Sequence, residues 1–368
     1  MTTITFYPSG NADTCLLSLE NGKRVIYDYA NMYVANDDND LRIDLESEIR
    51  VSLLGENEIE VLAISHLDKD HYKGVSELFW LDHALKYQSE DRIKVNTLWV
   101  PAAAILETGI SDEGRAIRQE ARHRLKNNYG IRVFSTPNLL DKWLIDNGID
   151  PETRRHLMTD AGNVAPEFSL LIDDVEFFVH SPFQQKSEDG SMIVRNDANL
   201  HMQAKFVVGG VETYLMLSAD TGYELLEQIY DVSRYNGNEE RLLSDINNVP
   251  HHCSYRSLSD EKGKTITSPT TKVQSLYEGY CREGCSLVST SNLIEDVEGL
   301  QPPHFQAKNY YQSVANMKGG EFLVTMNYPS STRPSPMVFD LSVRGHKLRK
   351  PFVAASTTVA STVAPRAG

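Results

Sequence analysis

The sequence has few cysteines and lacks a long hydrophobic segment. Both features limit the classes of protein to which it can belong. Its cysteines are Cys15, Cys253, Cys281 and Cys285. They do not form the two CxxC pairs typical of a structural zinc site, so we expect free thiols in a reducing compartment. No run of 18 apolar residues occurs, which argues against a membrane-spanning helix. Residues 1–10 also lack a basic segment followed by an apolar one. We therefore expect a cytoplasmic protein with no membrane partner.

Basic residues are outnumbered by acidic ones. The 368 residues include 51 Asp and Glu against 36 Lys and Arg, which gives a formal net charge of −15. This charge repels a polyanion and argues against extended, non-specific coating of DNA. Hydrophobic residues make up 40% of the chain, which is enough for a sizeable core. The length suits one large domain or two ordinary ones.

Residues 59–74 (IEVLAISHLDKDHYKG) combine a buried-strand pattern with a dense group of polar side chains. The apolar run 61–64 has the length of a strand buried on both faces. Four possible metal ligands follow within six residues: His66, Asp68, Asp70 and His71. Carboxylates packed this closely repel one another, and a divalent cation removes that conflict. The alternative is an exposed turn in which Asp68 or Asp70 caps a helix, which leaves the two histidines unexplained.

The same pattern of a polar group just past a strand occurs at three further places. Asp28 follows the apolar strand of VIYD, where it can support a metal ligand or cap a turn. Asp220 follows a strand in LSADTG, and the pair His251-His252 follows a strand in PHHCS. Strand ends at one edge of an α/β sheet form clefts where ligands bind. Imidazole and carboxylate together suit zinc, manganese or iron.

The rest of the chain alternates between strands and helices. Helices are predicted at 111–127, 139–146 and 151–158, and the first of these carries a basic face. Strands are predicted at 169–172, 175–180, 200–208 and 213–218, separated by turn signals typical of consecutive antiparallel strands. Residues 319–326 and 337–343 predict a final hairpin. The small, polar residues 349–368 predict a disordered tail.

Five motifs in order resemble one superfamily. The segments ADTCLLSL with GKRVIYD, HLDKDH, NDANLHM, LSADTG and PHHCS are similar to the metallo-β-lactamase fold, and within it to the hydrolase domain of the ComEC-type competence proteins. The signature HxHxDH stands here with Asp68 in place of the second histidine, and Cys253 stands where the family has glycine. The resemblance covers about 200 residues in register.

The resemblance implies an α/β fold in the form of an αβ/βα four-layer sandwich, with metals at the edge where two sheets meet. It implies a hydrolase domain over residues 1–348, with a helical insertion at about 101–164. The membrane channel of the competence proteins has no counterpart in this sequence. The inserted helices then offer a possible surface for a protein partner.

The resemblance also implies a ligand set. His66 and Asp68 correspond to ligands of one metal, and Asp70 and His71 to ligands of a second. Asp220 corresponds to the carboxylate that bridges the two. Asp70 can also orient the attacking water, so Asp70 and Asp220 are the candidate catalytic residues.

Two positions of the ligand set stay open. His252 matches the final histidine of the superfamily better than His251, which remains a second candidate. The separate histidine that usually follows the first motif is missing, and Asn196, Asn199 or His201 can stand near its place.

The expected cofactor is a pair of divalent metal ions, Mn or Zn, because an aspartate-rich ligand set shifts the preference towards harder cations. The function implied is a metal-dependent phosphodiesterase or nuclease acting on a nucleic acid or nucleotide. One alternative is a hydrolase of small esters or cyclic nucleotides. Another is a metal-binding scaffold subunit of a larger assembly, without essential catalysis.

Overall fold

The computed structural model describes residues 1–110, 112–183 and 198–350, and this part of the chain contains fifteen strands and ten α-helices. The strands are β1 (Thr3–Phe6), β2 (Cys15–Ser18), β3 (Arg24–Tyr27), β4 (Glu58–Ala63), β5 (Lys94–Pro101), β6 (Ile131–Phe134), β7 (Met158–Thr159), β8 (Val175–Ser181), β9 (His201–Val208), β10 (Val211–Leu217), β11 (Ser244–Asn248), β12 (Cys281–Ser289), β13 (Glu321–Val324), β14 (Met337–Ser342) and β15 (Gly345–Leu348).

The helices lie between these strands. They are α1 (Leu45–Ser52), α2 (Lys69–Tyr72), α3 (Val75–Leu78), α4 (Ala102–Leu106), α5 (Asp112–Asn127), α6 (Asn138–Asp146), α7 (Leu170–Asp173), α8 (Tyr223–Tyr235), α9 (Thr271–Tyr280) and α10 (Phe305–Met317). None of these described helices is both long and apolar enough to cross a membrane.

The strands form two mixed sheets. The first has the order β15-β14-β1-β2-β3-β4-β5-β6-β7, and the second has the order β13-β12-β11-β10-β9-β8. Strands β3 to β7 are parallel in the first sheet, and β10 to β13 are parallel in the second. The expectation of an α/β fold is confirmed. The predicted antiparallel run β8-β9-β10 is confirmed as well.

The two sheets pack against each other through one apolar cluster. Val61 on β4 and Leu215 on β10 both belong to it, while Leu62 on β4 points into a different cluster with Ile49 of α1 and Ile117 of α5. Successive residues of β4 are therefore buried on opposite faces, which explains the continuous apolar run in the sequence. Helices α8, α9 and α10 cover the second sheet, where Leu287 of β12 is buried among their side chains.

Two segments differ from the sequence-based expectation. Residues 169–172 do not form a strand. Ser169 precedes α7 and the other three lie in it, with Leu171 93% and Ile172 73% exposed. The expected hairpin of 319–326 with 337–343 is also wrong. Strand β13 pairs with β12 in the second sheet, whereas β14 pairs with β1 and β15 in the first.

The segment 101–164 contains strands as well as helices. It supplies β6 and β7, which extend the first sheet, and 151–157 forms a 3-10 turn rather than an α-helix. The arginines of α5 are held by the protein itself, since Arg118 donates to the Glu107 carbonyl (2.6 Å) and Arg124 to the Val95 carbonyl (3.0 Å). The tail predicted at 349–368 lies almost entirely outside the described residues.

Candidate metal centre

The polar residues singled out in the sequence lie where parallel strands end. In the first sheet, Asp28 follows β3 and His66 lies just past β4. In the second, Asp220 lies just past β10 and the His251-His252 pair just past β11. Because both sheets present these carboxyl ends to one cleft, side chains far apart in sequence converge there.

The first motif continues from β4 into α2. Asp68 is the residue before the first turn of α2, but its carboxylate makes no capping hydrogen bond there. The structure therefore does not support a helix-capping role for the Asp68 side chain. Asp70 and His71 lie on α2 itself, and their carbonyls accept hydrogen bonds from the backbone of Asp13 and Tyr29, both at 3.1 Å. These bonds fix the short helix against the first sheet.

The histidine pair lies in an unusual turn. His251, His252 and Cys253 all have left-handed backbone angles, with φ of 52°, 51° and 68°. This conformation is disfavoured for residues with a Cβ and favours glycine, the residue found at the position of Cys253 in the resembling family. The amide of His251 donates to the Ala219 carbonyl (2.9 Å), so the turn is tied to the loop of Asp220.

Asp220 stands between two groups of imidazoles. Its Oδ1 lies 3.2 Å from Nε2 of His71 and 3.7 Å from Nε2 of His252. Its Oδ2 lies 3.5 Å from Nε2 of His251 and 4.0 Å from Nε2 of His66. The two oxygens of one buried carboxylate thus face two different pairs of rings.

Each group also contains one carboxylate from the first motif. Asp68 Oδ2 lies 3.3 Å from Nε2 of His66, and Asp70 Oδ2 lies 3.3 Å from Nε2 of His252. The side chains of Asp68 and Asp70 are 34% and 33% exposed, whereas that of Asp220 is 6% exposed. Ligand atoms of Asp70, His71, Asp220 and His252 all lie within 4.8 Å of one another.

Three buried polar atoms of the cluster fit a metal better than a hydrogen-bond network. Nε2 of His66, Nε2 of His71 and Oδ1 of Asp220 make no well-aligned hydrogen bond among the described residues, although His71 and Asp220 form an ion pair at 3.2 Å. Unpartnered buried polar groups are costly, and a cation accepting their lone pairs would satisfy them. The mixed nitrogen and oxygen donors suit zinc or manganese. The residues present therefore fit divalent metal ions.

A second layer of hydrogen bonds orients the histidines. Oδ2 of Asp28 accepts from Nδ1 of His71 (2.8 Å) and from the Ser65 hydroxyl (2.7 Å). Nδ1 of His252 donates to the Thr290 carbonyl (2.9 Å). Because Nδ1 of both rings is used as a donor, Nε2 is the nitrogen that faces the carboxylates of the cluster and would be the ligand atom on each ring. The supporting role expected for Asp28 matches this arrangement.

The charged groups of the cluster shift one another's pKa values. Burial alone would lower the pKa of His71, but the carboxylates of Asp220 and Asp28 outweigh it and hold that pKa well above its usual value. Burial is likewise outweighed at His252, where Asp220 and Asp70 raise the pKa to about 9. Conversely, burial would raise the pKa of Asp220, but His71 and His252 hold it well below its usual value. A metal that binds these rings replaces their protons.

The structure describes three of the four residues that were left open in the ligand set. Asn196 lies outside the described residues. The side chains of Asn199 and His201 both bond to the Thr221 hydroxyl, at 3.2 and 3.1 Å. Nε2 of His251 lies near the same oxygen of Asp220 as Nε2 of His66. The adjacency of His251 to His252 was the only signal in the sequence.

One buried carboxylate was missed by the sequence interpretation. Asp13 lies behind the cluster, with Oδ2 3.8 Å from Nδ1 of His71, and it accepts from the Thr290 hydroxyl. Burial raises the pKa of Asp13. Its position before β2, rather than after a strand, gave no reason to select it.

Comparison with known proteins finds similarity to solved structures. The chain resembles the crystal structure of unliganded yeast PDE1 at a TM-score of 0.44 and 10% identity, over 88% of this chain and 96% of that one. Neither a protein-family model nor a curated protein sequence matches the chain.

Proposed function

We propose that this chain is a metal-dependent hydrolase with the metallo-β-lactamase fold, and that it cleaves phosphodiesters with two divalent ions, Mn or Zn. The observation that carries the proposal is the position of Asp220, whose two oxygens face two separate sets of ligands. A carboxylate that bridges two cations has this arrangement.

The two sets are assigned by distance. The first contains His66, Asp68 and His251 around Oδ2 of Asp220. The second contains Asp70, His71 and His252 around Oδ1. This assignment keeps the ligand pairs expected from the resemblance and adds His251 to the first set. Burial lowers the pKa of His251, which favours the neutral ring that a metal requires.

The proposed ligands have different roles, which follow from the solvent exposure of their side chains. Asp220 is buried and held by two imidazoles, so it positions the centre rather than exchanging protons with solvent. Asp68 and Asp70 are partly exposed and can accept a hydrogen bond from a water molecule in the cleft, which orients that water for attack. Two divalent ions, when bound, lower the pKa of water and stabilise the attacking and leaving oxygens of a phosphodiester.

The charge of the whole chain limits the substrate. A net charge of −15 opposes a long polyanion, so we propose a nucleotide or a short single-stranded nucleic acid as the substrate.

The test combines metal content with hydrolysis. Elemental analysis of the purified wild type should find about two equivalents of manganese or zinc, the number that two separate ligand sets would hold. Metal content and cleavage of bis(p-nitrophenyl) phosphate, labelled DNA, labelled RNA and cyclic nucleotides are then compared among wild type, Asp220→Ala and His251→Ala. His156→Ala is the matched control, because His156 is exposed and outside the cluster.

The outcomes separate the candidate functions. Loss of metal and of cleavage in Asp220→Ala, with His156→Ala unchanged, supports the hydrolase. A folded wild type that binds no metal after reconstitution would refute it. Two bound metals without hydrolysis of any substrate would favour the scaffold alternative.

A further inference from the structure

A cavity of about 360 Å³ opens beside α10 and β13. This volume lies within the range of about 300–1,000 Å³ typical of small-molecule sites. Its lining includes Leu293, Lys308, Gln312, Phe322, Asn327 and Tyr328. None of these residues belongs to the two ligand sets of the proposed metal centre.

The cavity and the histidine pair both adjoin parallel strands of the second sheet. Strands β11, β12 and β13 are parallel neighbours, and the cavity is built from β13 and from residues just past β12 and β13. Neighbouring strands lie about 4.8 Å apart, so β13 is about 10 Å from the strand that precedes the histidine pair. That separation can be spanned by one small substrate.

Two short chain segments connect the cavity with the centre. The carbonyl of Thr290 accepts from His252, and Leu293 in the cavity wall is three residues further on, at most about 10 Å away. The amide of His304 donates to the Cys253 carbonyl (3.1 Å) and α10 begins at the next residue. Lys308 is one helical turn beyond His304, about 6 Å along the axis. The cavity wall therefore lies within about 10 Å of residues that contact the histidine turn.

The lining combines three kinds of group. Phe322 and Tyr328 are partly exposed aromatic rings, and Gln312 and Asn327 supply amide donors and acceptors. Lys308 is the cation of the described lining, which contains no acidic side chain. In a chain with a net charge of −15, such a lining favours an anionic ligand that carries an aromatic, hydrogen-bonding ring.

We propose that this cavity binds the nucleobase of a nucleotide whose phosphodiester lies at the metal centre, an inference that rests on the proposed function. Aromatic side chains stack on base faces, amides pair with base edges, and the positive charge of Lys308 attracts a negatively charged nucleotide. A base in a duplex has both its faces and its pairing edge occupied. The substrate therefore has at least one unpaired base, as in a mononucleotide, a cyclic nucleotide or a single-stranded end.

The test compares two substrates with the same leaving group. One is the p-nitrophenyl ester of thymidine monophosphate, and the other is methyl p-nitrophenyl phosphate, which lacks a nucleoside. Both are assayed with the metal-loaded wild type, with the double variant Gln312→Ala/Asn327→Ala, and with Asn309→Ala. Asn309 lies on the same helix but does not line the cavity, so it is the matched control.

We expect the double variant to raise KM for the nucleotide ester about tenfold, because each lost hydrogen bond weakens binding by roughly a factor of two to ten. KM for the methyl ester, and kcat for both substrates, should stay as in wild type. Inhibition by thymidine monophosphate should weaken in the double variant, whereas inhibition by ribose phosphate should not.

An equal change of KM for both esters, or no change for either, would overturn the nucleobase site and leave the hydrolase intact. A wild type that hydrolyses neither ester in the presence of metal would instead refute the proposed function, and the nucleobase site with it. The two failures are thus distinguishable.

Discussion

Asp28 shows how a side chain outside the two proposed ligand sets can orient a proposed ligand. It is fully buried, has a left-handed φ of 54°, and accepts from the Ser65 amide (2.7 Å) as well as from His71. Asparagine has the same shape and also tolerates this backbone conformation. Asp28→Asn therefore removes the negative charge and leaves the side-chain shape and the backbone conformation unchanged.

We expect Asp28→Asn to weaken metal affinity about 10- to 100-fold, because His71 loses the carboxylate that orients it and raises its basicity. Titration calorimetry with Mn²⁺ measures the change. Asp141→Asn is the control, since Asp141 is an ion-paired carboxylate outside the cluster. Equal affinity in both variants would show that Asp28 does not support the ligand.

Glu120 gives a prediction on stability and pH. Burial would raise its pKa, but hydrogen bonds from His83 (3.0 Å) and Arg124 (2.6 Å) lower it from 4.5 to about 2. Between those values the unfolded chain binds more protons than the folded one, so this contribution is present above about pH 4.5 and is lost as the pH falls towards 2.

Glu120→Gln should therefore reduce the free energy of unfolding by about 3 kcal/mol at neutral pH. The difference from wild type should shrink below about pH 4.5, because the wild type itself loses the contribution there. Urea unfolding of both proteins from neutral pH to about pH 3 measures it. A difference that stays constant with pH would contradict the prediction.

Most side chains of the cluster could be selected from the sequence, because possible metal ligands are recognised by residue type and local spacing. His66, Asp68, Asp70 and His71 share one short motif whose composition has no simple structural explanation. His251 could not be assigned from the sequence. Which of two adjacent imidazoles faces which oxygen depends on three backbone angles that no residue type in PHHCS specifies.

At the scale of the element, the turn of residues 251–253 is under strain. The thiol of Cys253 is fully buried and its left-handed backbone costs about 1–2 kcal/mol. Cys253→Gly removes the strain but also the buried side chain, worth about 1 kcal/mol, so the stability should stay within about 1 kcal/mol of wild type.

Cys253→Val should instead destabilise by at least about 2 kcal/mol, because a β-branched residue at this φ is strongly disfavoured. Since the turn carries both histidines, the valine variant should also bind less metal than the glycine variant. Thermal melting and elemental analysis measure both effects. A valine variant with wild-type melting and metal content would contradict this account.

The elements that were mispredicted failed for physical reasons. The apolar run 169–172 has the composition of a strand, but a short apolar run does not show whether it is buried, and α7 leaves Leu171 exposed. Strand β14 was correctly placed in the sequence, yet its partner β1 lies more than 300 residues away. Local patterns indicate a strand without indicating its neighbour.

In the whole molecule, five carboxylates from different parts of the chain meet where the metals are proposed. Asp13, Asp28, Asp68, Asp70 and Asp220 all lie in or behind the cleft. Saturating Mn²⁺ at about 100 times the dissociation constant should raise the free energy of unfolding by about 3 kcal/mol.

The corresponding rise in melting temperature is about 5 °C, to be measured by calorimetry with Mn²⁺ and with a chelator. Asp220→Ala should show a smaller rise because it loses the ligand shared by both sets. A melting temperature independent of metal in the wild type would contradict the prediction.

The proposed ligands come from strand ends of both sheets, and this has a consequence for the lifetime of the folded molecule. A complete site exists only after the sheets have docked, so metal should slow unfolding while leaving the refolding rate nearly unchanged. Stopped-flow kinetics with and without Mn²⁺ would separate the two rates, and faster refolding would point to a site formed earlier. The same side chains that we assign to hydrolysis would then determine how long each molecule resists unfolding and proteolysis.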